Sequence, residues 1–96
     1  MSDEYRLIFR VHALKRMSQR HIDKEDIRQV IETGEDIETY PNALPFPARL
    51  VMGWCGSRCL HIVVGDNAVA QEIIVISAYE PNPLEWEPDL KTRKKP

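Results

Sequence analysis

The stretch VHALKRMSQRHIDKEDIRQVIETG, residues 11–34, decides the fold of this chain, because its pattern predicts two consecutive helices. Apolar residues recur at helical spacing in both halves, as Ala13, Leu14 and Met17 and then as Ile27, Val30 and Ile31. Asp23 is a good N-cap for the second helix, and Ile22 is placed to pack on Ile27 as a hydrophobic staple. Gly34 is predicted to take the left-handed position that ends this helix. We therefore expect a helical hairpin over this stretch.

Strand patterns lie on both sides of the helical hairpin. Residues 5–9 alternate in a period of two, and strand-like segments follow at residues 36–40, 49–54, 60–64 and 72–79. The run Ile73–Ile76 is apolar at every position, which is typical of a central strand that helices cover on at least one face. The predicted fold class is α+β, with a two-helix hairpin packed on a mainly antiparallel sheet of four to five strands. The predicted order is β-α-α-β-β-β-β.

Length and composition predict one domain. The chain has 96 residues, 43% hydrophobic and 29% charged, which suits a soluble globular protein and is too apolar for a disordered one. We predict a domain over residues 1–88 and a basic C-terminal tail over residues 89–96, which is either an ordered arm, a disordered tail or extra charge for RNA. No apolar run approaches the ~20 residues that a membrane span needs, and acidic residues stand near the start where a signal peptide is positive. We expect a cytoplasmic protein with no membrane partner.

The formal net charge of −2 hides a block structure. Residues 5–20 contain five basic residues and no acidic one, whereas residues 21–38 contain seven acidic residues and two basic ones. This distribution excludes a uniformly basic nucleic-acid binder and allows a local basic face.

A row of basic side chains is predicted on the first helix. His12, Arg16 and Arg20 are each four residues apart, so they lie on one side of the helix next to the buried Ala13 and Met17. We expect this position to half-desolvate the row and to suit it to phosphate, because the arginine fork is planar and always charged. Two alternatives stay open. The row is an ordinary solvated face, or it holds the helix in place through buried ion pairs.

Three strand residues are candidates to complete a site: Arg49, His61 and Tyr79. His61 has the opposite parity to Leu60, so it faces away from that side chain. On a face covered by helices it would be a core histidine bound to a backbone carbonyl, and on an open face it would serve as an acid or base. The Tyr79 hydroxyl either orients a phosphate or forms a hydrogen bond at the edge of the core.

The spacing Cys55-x3-Cys59-x-His61 raises the question of a metal site. The three residues lack the paired spacing of structural zinc sites, and no fourth ligand is evident. We therefore predict no metal and no cofactor, with two free and partly buried thiols.

Two motifs resemble those of a small bacterial domain family of unassigned function that is grouped with the RelE-like toxins. They are Phe9-x-x-His12-Ala13-x-x-Arg16-Met17-x-x-Arg20-x-Ile22 and Ile76-Ser77-Ala78-Tyr79-Glu80-Pro81 with Trp86 nearby. The likeness covers about residues 5–87. Position 21, commonly glycine in such motifs, is His21 here, so the histidine must take the turn itself.

The resemblance implies a RelE-like fold of microbial-ribonuclease type and the activity of a toxin of a toxin–antitoxin pair. Such toxins cut RNA, often ribosome-bound mRNA, and a cognate antitoxin protein inhibits them. Cleavage by the RNA's own 2′-hydroxyl needs a proton acceptor, a proton donor and positive charge, without metal. The resemblance implies His12 as acid or base, Arg16, Arg20 and Arg49 as the phosphate clamp, and His61 or Tyr79 as the second proton-transfer group.

We thus predict a metal-independent endoribonuclease toxin. The alternative is a non-catalytic protein- or nucleic-acid-binding module with the same fold, and a homodimer is left open. The two functions differ in their sensitivity to substitution. A catalyst would lose activity on replacement of His12 or His61, whereas a binding module would respond to charge reversal at Arg16.

Overall fold

A computed structural model describes residues 5–95, which form five strands and two helices in the predicted order. The elements are β1 (Arg6–Phe9), α1 (Val11–Gln19), α2 (Lys24–Thr33), β2 (Glu35–Tyr40), β3 (Ala48–Cys55), β4 (Arg58–Asn67) and β5 (Glu72–Tyr79). The predicted α+β fold class is confirmed. The ends of the predicted domain and tail, residues 1–4 and 96, lie outside the described residues. Neither α1 nor α2, the helices of residues 5–95, is long and apolar enough to cross a membrane.

The five strands form one mixed sheet in the order β1-β5-β4-β3-β2. β2, β3, β4 and β5 pair in antiparallel fashion, and β1 pairs with β5 in parallel. The apolar β5 therefore lies inside the sheet, between β1 and β4, as its sequence predicts. The helices lie on one face, where α1 packs mainly on β5 and α2 on β3.

The hydrophobic core lies between the helices and one face of the sheet. Its buried members include Ala13 and Met17 from α1, Ile27 and Val30 from α2, and Val51, Leu60, Ile62, Val64, Val75 and Ala78 from the strands. Since side chains alternate across a strand, the core positions Leu60 and Ile62 put His61 on the other face of the sheet.

The junction between the helices follows the local sequence signals. His21 has a φ of 56°, so it takes the left-handed turn predicted for it. Asp23 is the N-cap of α2, and its backbone N–H donates to the Asp26 carboxylate at 2.9 Å. Ile22 and Ile27 are both buried in the core cluster, as a hydrophobic staple requires.

The prediction for Gly34 is wrong. Its φ of −85° and ψ of −167° are extended, not left-handed, so backbone freedom does not explain a glycine here. The reason is a close approach of two backbone segments. A Cβ at Gly34 would lie 2.4 Å from the Met52 carbonyl oxygen and 2.6 Å from that of Val30. The glycine lets the end of α2 lie against β3.

A C-terminal hairpin, residues 85–94, covers part of the sheet face that the helices leave open. The backbone N–H of Glu87 donates to the Thr92 carbonyl oxygen at 2.8 Å, and the backbone N–H of Lys94 donates to the Glu85 carbonyl oxygen at 2.9 Å. Trp86 in this hairpin is only 2% exposed, and Lys91 forms an ion pair with Glu35 on β2. The segment predicted as a basic tail is therefore attached to the sheet through Leu90, Lys91 and Arg93.

Candidate functional site

The basic face of α1, which we define as His12, Lys15 and Arg16, is exposed to solvent. Only Ala13 and Met17 of this helix are buried. The expectation of a half-desolvated row is thus wrong for His12 and Arg16. Within residues 5–95, neither Lys15 nor Arg16 forms an ion pair with a carboxylate. These cations are available to an anion in solution.

Arg20 differs from the other members of the predicted row. Its guanidinium is partly buried and donates to the Ala78 carbonyl oxygen at 2.8 Å, which ties the end of α1 to β5. Arg58 reinforces this attachment, because it donates to the carbonyl oxygens of Arg20 and His21, each at 2.7 Å. A cation at the C-terminal end of a helix also complements the helix dipole. No signal in the sequence connects Arg58 with α1.

Arg49 is held by two carboxylates. Its Nε and Nη2 donate to Asp66 at 2.8 and 3.1 Å, and its Nη1 donates to Asp36 at 3.0 Å. The hydrogen bonds to Asp66, followed by those to Asp36, raise the pKa of Arg49 against the effect of burial. Arg49 lies near the opposite end of β3 from Cys55, at about 20 Å for six residues of strand. Cys55 pairs with Arg58, which contacts Arg20, so Arg49 lies at the end of β3 that is remote from Arg20. The predicted clamp of Arg16, Arg20 and Arg49 is therefore not brought together at one place.

His61 is completely buried, on the face that the helices leave open. The C-terminal hairpin closes that face, with the Trp86 ring perpendicular to the imidazole at a centroid distance of 4.5 Å. Nε2 donates to the Leu90 carbonyl oxygen at 2.7 Å, and Nδ1 has no hydrogen-bond partner among the described residues. A hydrogen bond from His61 to a backbone carbonyl is expected if helices cover its face. The bond occurs on the face opposite to the helices, because the C-terminal hairpin covers that face.

The burial of His61 predicts that the protein loses stability in acid. Desolvation lowers the pKa of His61, and the hydrogen bond to Leu90 only partly opposes this effect. Between the lowered folded pKa and the unfolded value of about 6.5, the unfolded chain binds more protons than the folded one. The free energy of unfolding should therefore fall as the pH drops below about 6.5. Urea unfolding at neutral and mildly acidic pH measures this loss.

His61→Gln is the informative variant, since the glutamine amide can still donate to the Leu90 oxygen but does not titrate. The acid-dependent loss in the free energy of unfolding should be smaller in this variant. It should persist in His12→Gln, which removes an exposed imidazole. Equal pH profiles for wild type and His61→Gln would contradict the assignment.

A second polar group lies beside His61, and we call Glu38, Tyr40 and Arg93 the Glu38 cluster. Arg93 donates to both oxygens of Glu38, at 2.7 and 3.2 Å, and the Tyr40 hydroxyl also donates to that carboxylate. The hydrogen bonds from Arg93 lower the pKa of Glu38. The Arg93 guanidinium lies 4.5 Å from the centre of the Trp86 ring. No spacing signal connects residues 38, 40 and 93, so this cluster is not evident from the sequence.

Tyr79 belongs to the same face. Its ring centroid lies 5.5 Å from that of His61, and burial raises the pKa of its hydroxyl. His12, in contrast, lies on α1, which packs on the other face of the sheet. The structure therefore brings His61 and Tyr79 together and separates His12 from both.

The two cysteines are free thiols, as predicted. Burial raises the pKa of both Cys55 and Cys59, which keeps them protonated and poorly nucleophilic at neutral pH. In the described part of the chain, no group of three His, Cys, Asp or Glu side chains is placed to hold a metal ion.

Comparison with known proteins identifies one family. The family model described as "Domain of unknown function (DUF4258)" matches residues 9–80. No curated protein and no solved structure matches the chain significantly.

Proposed function

Since this chain belongs to the DUF4258 family, whose description assigns no function, we propose its function from its surface: it binds RNA through the basic face of α1. One observation carries the proposal. Lys15 and Arg16 are exposed side by side, and neither has a carboxylate partner within residues 5–95. Three arginines on the strands and the C-terminal hairpin, Arg49, Arg58 and Arg93, are instead bound to carboxylates.

Phosphate is the anion that best suits this surface. An arginine fork binds phosphate oxygens with two parallel hydrogen bonds, and lysine adds a point charge. His12, four residues before Arg16, provides a further donor on the same side of the helix. Contacts with the phosphate backbone supply most of the non-specific affinity of nucleic-acid binding and make it sensitive to salt. Because the net charge is −2, we expect moderate affinity at low salt and a steep loss as salt is added.

Charge reversal at Arg16 tests the proposal. Arg16→Glu should raise the dissociation constant for a fluorescent single-stranded RNA on the order of tenfold at low salt, because a phosphate contact becomes a repulsion. The slope of log affinity against log salt should also become shallower by roughly 1. Fluorescence anisotropy across a salt series measures both quantities.

Lys94→Glu is the matched control. It makes the same change of charge in the C-terminal hairpin, on the opposite side of the sheet, and its backbone N–H bond to Glu85 does not depend on the side chain. RNA binding should respond strongly to Arg16→Glu and weakly to Lys94→Glu. The reverse order would move the phosphate contacts from α1 to the hairpin, and an absence of binding at any salt concentration would refute an RNA-binding function.

Metal-independent RNA cleavage is a second candidate, and the Glu38 cluster favours it. Glu38 is ionised, because the hydrogen bonds from Arg93 lower its pKa, so it is only a weak proton acceptor for a 2′-hydroxyl, and the neighbouring Arg93 would stabilise charge on the phosphate. His61 and Tyr79 lie on the same face as proton-transfer groups. The toxin function that the RelE resemblance implies, with ribosome-bound mRNA as substrate and an antitoxin as partner, belongs to this candidate.

The same RNA mixtures distinguish the two candidates. Cleavage should leave a fragment ending in a 2′,3′-cyclic phosphate, and Glu38→Gln should abolish it. An intact oligonucleotide after long incubation supports a binding module. Induction of the chain in bacteria then tests the toxin role, since arrest of growth with RNA cleavage would support it and normal growth with intact RNA would oppose it.

A further inference from the structure

Trp54 is unusually exposed for a tryptophan inside a sheet. It lies near the end of β3 and is 48% exposed, whereas Met52, two residues earlier in the strand, is 3% exposed and the other tryptophan, Trp86, is 2% exposed. A large aromatic surface in contact with water is unfavourable, and exposed aromatic side chains at concave sites often contact a ligand. Packing in the core therefore does not explain the presence of a tryptophan at position 54.

A cleft lies beside the Trp54 ring. It has a volume of about 220 Å³ and is lined by Trp54, Ser57, Cys59, Glu80, Pro81 and Leu90. Clefts for drug-sized ligands are larger, roughly 300–1,000 Å³, so this one suits a single ring system. Trp54, Pro81 and Leu90 make part of this lining apolar, and Ser57 and Glu80 are the lining residues whose side-chain oxygens can accept a hydrogen bond from a ligand edge.

The cleft is connected to α1 through direct contacts. Arg58 donates to the backbone of Arg20 and His21 at the end of α1, and it forms an ion pair with Glu80 at 2.9 Å. Glu80 in turn lines the cleft. Trp54 pairs with Cys59 and shares the face of His61, opposite to α1, and Arg58 lies at the end of the sheet where β3 meets β4. A strand whose phosphates lie on the basic face of α1 would therefore pass Arg58 around this end of the sheet to reach Trp54.

We propose that the cleft beside Trp54 binds one unpaired base of single-stranded RNA, stacked on the indole. The inference rests on the proposed RNA-binding function and extends it to the substrate class. Base stacking on aromatic side chains is a general device of single-strand binding, and it excludes duplex RNA, whose bases are already stacked. Adenine is a suitable probe, because its amino group can donate to Glu80 or Ser57.

The experiment compares a short oligoadenylate with an abasic strand of the same length. Trp54→Ala should weaken oligoadenylate binding on the order of tenfold, because one stacking contact is lost, and should leave binding of the abasic strand unchanged. Trp54→Phe should retain most of the affinity. Leu84→Ala is the control, since Leu84 is 81% exposed and lies outside the cleft.

Tryptophan emission provides a second measurement. Oligoadenylate should quench the wild-type emission and leave the emission of Trp54→Phe unchanged, because Trp86 is buried. Equal affinity of wild type and Trp54→Ala for oligoadenylate would overturn the inference. An equal loss of affinity of Trp54→Ala for the abasic strand would also overturn the inference, because it would indicate damage to phosphate binding. If wild type binds neither strand, the proposed function itself fails.

Discussion

Trp86→Ala is expected to lower the free energy of unfolding by about 3–5 kcal/mol, the usual cost of removing a fully buried tryptophan. Trp86 is 2% exposed and packs between the His61 imidazole and the Arg93 guanidinium. Its removal leaves a cavity over His61 and separates the C-terminal hairpin from the sheet. Trp86 therefore holds the second face of the sheet closed together with the His61–Leu90 hydrogen bond and the ion pairs of Lys91 and Arg93.

Urea unfolding of Trp86→Ala beside Trp54→Ala measures this contribution. Both variants lose an indole, but Trp54 is half exposed, so its replacement should cost far less. The acid sensitivity caused by His61 should also shrink in Trp86→Ala, since water would reach the imidazole. Similar losses for the two variants would show that the hairpin contributes little to stability.

Gly34→Ala is expected to destabilise the protein by about 3 kcal/mol, at the upper end of the range for overpacking. The new Cβ would lie 2.4 Å from the Met52 oxygen and 2.6 Å from the Val30 oxygen, and both belong to the backbone. No rotation of a side chain relieves such a contact, so α2 or β3 must move. The shift would also disturb the pairing of Glu35 with Met52.

Gly56→Ala is the control that separates the close backbone contact at Gly34 from the cost of replacing a glycine with positive φ. Gly56 has a φ of 62°, and a Cβ there meets nothing within 4 Å. Its replacement should cost only the strain of a left-handed alanine, about 1–2 kcal/mol. Thermal or urea unfolding should rank Gly34→Ala as the more damaging change. The opposite order would mean that the contact at Gly34 relaxes easily.

The two faces of the sheet differ in how accessible their polar side chains are to a ligand. The helix side presents exposed cations on α1 that have no carboxylate partner within residues 5–95, whereas the other side holds a closed polar group around His61, Tyr79 and the Glu38 cluster. The first arrangement is ready for a polyanion. The second would need the C-terminal hairpin to move before His61 could meet a substrate, because that imidazole is completely buried.

The sequence by itself determined the features that depend on neighbouring residues. Asp23 with Asp26 sets the start of α2, and His21 takes the left-handed turn before it. The periodicity of apolar residues determined the two helices, the strands and their order, because a helix or a strand buries one face through short-range spacing. The common side of His12 and Arg16 on α1 belongs to the same class, since a spacing of four residues follows from helix geometry.

The tertiary structure alone decided which of the candidate side chains are free. Arg20 bonds to a carbonyl 58 residues away, and His61 bonds to one 29 residues away. Arg49 and Glu38 are each bound by charged residues from other parts of the chain. The sequence shows a charge or an imidazole but not the partner that folding brings to it. Whether such a group binds a ligand depends on that partner, because burial and pairing set both its pKa and its access to solvent.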